Sequence, residues 1–128
     1  RLFVDYLRDY ARSENKTVFL TSHIIQDMER LIDDCIIMDY GSILIQQPIE
    51  TLMKELRRYT CTVPEGYQPQ LPATCYHPAV IRQTLETYSF LPPMDVEKLL
   101  KESQVPFTGL HHENVSLEDA FIGLTGKY

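Results

Sequence analysis

Two short apolar runs, residues 17–21 (Thr-Val-Phe-Leu-Thr) and 35–39 (Cys-Ile-Ile-Met-Asp), flank a stretch of helical periodicity, and this strand–helix–strand order limits the fold more than any other feature of the 128-residue chain. Apolar on both faces, the first run suits a buried strand of a parallel sheet. Thr21 or Ser22 can cap the helix that follows. That helix turns Ile24, Met28, Leu31 and Ile32 inward and Asp27, Glu29, Arg30 and Asp33 outward. A βαβ unit of this kind pairs its two strands parallel. Tyr40-Gly41-Ser42 then makes a tight turn, and residues 43–47 return antiparallel as an edge strand. Pro48 starts a short helix running to about Arg58, with Ile49, Leu52, Met53 and Leu56 on its inner side. Ahead of all this, Leu2, Phe3, Tyr6, Leu7, Tyr10 and Ala11 recur at helical spacing with no preceding cap. A chain that opens inside a helix is expected to have been cut from a longer one.

The character changes near residue 59. Pro64, Gly66, Pro69, Pro72 and Pro78 break up the next stretch. Residues 59–63 and 84–90 read as strands, although a helix over 79–88 fits the second region as well. Residues 95–102 have helical periodicity through Val96, Leu99 and Leu100, and residues 105–111 read as another strand. Ser116-Leu117-Glu118-Asp119 is a capping-box signature for a last helix, with Leu117, Ala120, Phe121 and Leu124 on its apolar face and Gly126 ending it. The expected architecture is α/β for residues 1–58, followed by a small α+β appendix over 59–128.

Composition narrows the function. With 12 Lys plus Arg against 18 Asp plus Glu, the net charge of −6 argues against nucleic-acid binding, which draws its affinity from cations on phosphates. No apolar run approaches the roughly 20 residues that cross a bilayer, so no direct membrane insertion is expected. The three cysteines, Cys35, Cys61 and Cys75, have unrelated spacings, which fits a reducing cytoplasm better than a disulfide framework. Zinc on Cys61, Cys75 and His77, completed by His111 or His112, matches no paired Cys-x-x-Cys pattern, so no metal site is expected. Asp33-Asp34 reads as a solvated helix end. The eight tyrosines read as half-buried packing residues rather than as a contact surface.

His23 is the residue placed for chemistry. It follows a buried strand at the start of a helix, the edge of an open α/β sheet where ligands bind. Helix N–H groups there favour an anion such as phosphate. A neutral imidazole can donate one hydrogen bond to a phosphate oxygen and accept another. A lone histidine at a helix start is more often structural, and it is the surrounding segment that gives His23 its weight. Thr17-Val18-Phe19-Leu20-Thr21-Ser22-His23, followed by Asp27, Glu29, Asp33, the strand to Asp39 and Gly41, resembles the switch-loop region of ABC-transporter ATPases. That resemblance covers about residues 1–58. Residues 116–126, Ser-Leu-Glu-Asp-Ala-Phe-Ile-Gly-Leu-Thr-Gly, are similar to the terminal helix of bacterial exporter ATPases of the same family.

By this resemblance the chain is the C-terminal part of an ATP-binding subunit, and His23 is the switch histidine that contacts the γ-phosphate and helps hold the attacking water. The resemblance implies ATP and magnesium in the full-length parent, a second ATPase subunit, a transmembrane permease and a place at the cytoplasmic face of the cell membrane. No Gly-x-x-x-x-Gly-Lys-Ser/Thr loop, LSGGQ-like signature or apolar strand ending in Asp-Glu occurs in the chain. This chain alone is therefore expected to be no enzyme and to bind no cofactor. Gln46 and Gln47 stand where the family often has glycine, and residues 64–80 fit its usual appendix poorly. A second reading is a non-catalytic regulatory or dimerisation module. A receiver-like domain ranks below both, for want of clustered acidic residues at strand ends.

Overall fold

Two short apolar runs either side of Gly41 form a hairpin. The computed structural model describes residues 32–39 and 41–126. The expected helix of residues 1–12, the strand of 17–21 with its parallel pairing, and His23 lie outside the described residues. Strand β1 (Asp34–Asp39) pairs antiparallel with β2 (Ser42–Pro48), as the sequence predicts. Cys35, Ile37 and Ile45 point into the core, whereas Ile36, Met38 and Ile43 point out. Gly41, at φ +77, occupies the turn, a conformation that costs glycine nothing.

Helix α1 (Ile49–Glu55) follows at once, its first N–H donating to the Asp33 carbonyl at 2.8 Å and so tying it to the base of β1. The helix is shorter than the expected run to Arg58. Leu56 is already extended, and Arg57 opens β3 (Arg57–Thr62). Pairing on both sides of β3 outweighs the helical propensity of Arg57 and Arg58.

The second sheet has four antiparallel strands in the order β4-β5-β3-β6, with β4 at Tyr76–Ile81, β5 at Thr84–Ser89 and β6 at Thr108–Asn114. Residues 79–88 are thus two strands around an Arg82-Gln83 loop and not a helix. The sequence hid β4 because Pro78 cannot donate to a ladder. It is tolerated because β4 is an edge strand whose register is broken between Tyr76 and Ala79. Tyr59 and Cys61 of β3, with Leu85 of β5, face helix α2 (Pro93–Glu102) and bury Val96 and Leu100. Tyr88 points to the other face, where α3 (Leu117–Thr125) packs. One hydrophobic cluster joins the hairpin and α1 (Cys35, Ile37, Ile45, Ile49, Leu52, Leu56) to Tyr88, Val115 and α3.

Strand β6 begins three residues later than expected, because Val105 is used to end α2. Its N–H donates to the Leu100 carbonyl and that of Gln104 to Lys101, each at 3.0 Å, and Val105 packs on Leu100. This is a Schellman closure with glutamine, at φ +59, where glycine is usual. Gln104→Gly is therefore expected to stabilise the fold by about 0.5–1 kcal/mol, read as a raised denaturation midpoint with unchanged slope. A lowered midpoint would show that the glutamine side chain contributes more than the backbone strain costs.

Candidate functional site

The terminal helix packs on the described part of the first segment that carries the family resemblance. The Ser116 hydroxyl accepts from the Asp119 N–H at 3.1 Å, the expected N-cap, and Gly126 at φ +73 closes the other end with its N–H on Ile122. Leu117, Ala120 and Leu124 are buried against the hairpin and α1. Gly123 lets the helix lie flat on Tyr88: a Cβ there would come within 2.5 Å of the ring's Cγ and 2.6 Å of Cε2. At the C-terminal end, His77 Nε2 lies 3.1 Å from the Leu124 carbonyl, within hydrogen-bonding reach. Segment 116–126 thus shares its core with the hairpin of residues 34–48. Sequence reading did not find the Gly123–Tyr88 contact, although a glycine inside a helix was its signal.

Beside Tyr88, on the same sheet face, Arg58 donates through Nε to Glu113 Oε1 at 2.9 Å and also pairs with it through Nη2. That bond holds the guanidinium above its ordinary pKa, against the opposing effect of partial burial. It is a cross-strand clamp between β3 and β6. On the α2 face, the buried Tyr59 hydroxyl donates to the Leu91 carbonyl at 2.6 Å, and burial pushes its pKa up.

The cysteines hold no chemistry here. Cys35, Cys61 and Cys75 are free and buried, and desolvation raises each thiol above its ordinary pKa, away from the reactive thiolate. Among the described residues no group of three or more His, Cys, Asp or Glu side chains could hold a metal ion. His77 is turned to Leu124, and His112 lies beside Tyr59 with ring centroids 6.0 Å apart.

Among the described residues two apolar surfaces are open. One is a shallow groove between the first turn of α2 and β6, lined by Pro92, Pro93, Met94, Phe107, Leu110 and His112. The other is the outer face of the hairpin, where Ile36, Met38 and Ile43 are 46%, 55% and 58% exposed and Leu44 is at the margin. Apolar side chains gathered on one face mark a contact surface. Among the described residues no helix is long and apolar enough to cross a membrane.

Comparison with known proteins gives two relatives. The chain is 32% identical over 126 residues to Nod factor export ATP-binding protein I of Ralstonia nicotianae, covering 90% of this chain and 38% of that protein. It is 34% identical over 53 residues to the bacitracin transport ATP-binding protein BcrA of Bacillus licheniformis, covering 41% of this chain and 17% of the relative. The chain therefore spans well under half the length of either relative. No family model matches it, and no solved structure matches it significantly.

Proposed function

We propose that the chain, aligned over 90% of its length with one export ATP-binding protein and over 41% with a second transport ATP-binding protein, is the C-terminal portion of an ABC transporter ATP-binding subunit whose parent couples ATP hydrolysis to transport. The observation that carries this reading is the 90% of the chain aligned with one ATP-binding relative. The packing of α3 on the hairpin is in keeping with it, since residues 34–56 and 117–124, taken from the two resembling segments, share one core. The apolar face of the hairpin, exposed among the described residues, also suits a piece that packs against more protein.

In this reading residues 1–58 complete the ATPase core and residues 59–128 form an accessory subdomain built on the four-stranded sheet. His23 serves as the switch histidine, contacting the γ-phosphate of ATP that the parent binds with magnesium. A donor fixed at that position stabilises charge spread over the γ-phosphoryl oxygens. The phosphate cradle and metal ligands belong to the rest of the parent. The parent sits at the cytoplasmic face of the membrane with a second ATPase subunit and a transmembrane permease.

Two measurements test the reading. This chain alone is expected to show negligible heat on calorimetric titration with ATP and magnesium, and tight magnesium-dependent binding would contradict the proposal. In the full-length parent, His23→Ala is expected to remove most ATP turnover while leaving nucleotide binding in place. Unchanged turnover would take His23 out of the mechanism.

A further inference from the structure

We draw no further inference here: the strongest candidate, the apolar outer face of the β1–β2 hairpin formed by Ile36, Met38 and Ile43, carries none because nothing among the described residues shows what covers it.

Discussion

Gly123→Ala is expected to lower the stability of the fold by about 2 kcal/mol, although alanine is the better helix former. Inside α3 the exchange should gain about 1 kcal/mol from propensity alone. The new methyl, however, would sit 2.5–2.6 Å from ring carbons of Tyr88, a side chain only 6% exposed and on the sheet face where α3 docks. Neither partner can yield easily. The ring is part of the core, and the helix is pinned at one end by the Ser116 cap and at the other by Gly126, where an added Cβ would meet the His77 ring at 2.7 Å. Overpacking of a close-packed interior costs about 1–3 kcal/mol, and here the upper end applies, leaving the net loss stated. For a chain of this size that is a fall on the order of 10 °C in Tm. The same substitution in a Tyr88→Ala background should be neutral or stabilising, so a double-mutant cycle separates the clash from any helix effect. A raised Tm for Gly123→Ala alone would show that α3 does not lie on the Tyr88 ring.

His23→Ala in the full-length parent is the second large effect. Phosphoryl transfer gives a protein little covalent chemistry to do, so rate comes from positioning and from fixed dipoles aimed at developing charge. Loss of one such preorganised donor costs on the order of a hundredfold or more in turnover. On the function proposed above, the same loss should change ATP binding little, because the cradle and metal contacts that would hold the ground state belong to other parts of the parent. kcat and kcat/KM should therefore fall together. A rise in KM with kcat preserved would make His23 a residue that binds ATP in its ground state instead.

The legible parts of this chain were those where one local rule decides. β1 and β2 are short apolar runs around a glycine turn, and α3 carries both of its caps in plain view at Ser116 and Gly126. β3 and β5 stood out by their tyrosine and threonine content. The missed features are those where tertiary context overrode the local signal. Pro78 disguised β4, which lies at an edge and around a bulge where no proline N–H is needed. Arg57 and Arg58 continue a helical pattern but are claimed by strands on both sides. Val105 looks like a strand residue and instead seals α2. The candidate site divides the same way: His23 was singled out from its neighbours and lies outside the described residues, whereas the Arg58–Glu113 clamp joins positions 55 residues apart and leaves no mark in the sequence.

The shared core has a consequence for the order in which the chain is made. Cys35, Ile37 and Ile45 leave the ribosome about 70 to 90 residues before part of their cover, Leu117, Ala120 and Leu124, which is synthesised last among the described elements. Until then the hairpin has apolar residues on both faces and little to shield them. Newly made chains of this kind should be open to chaperone capture until the final helix emerges and seats on the sheet.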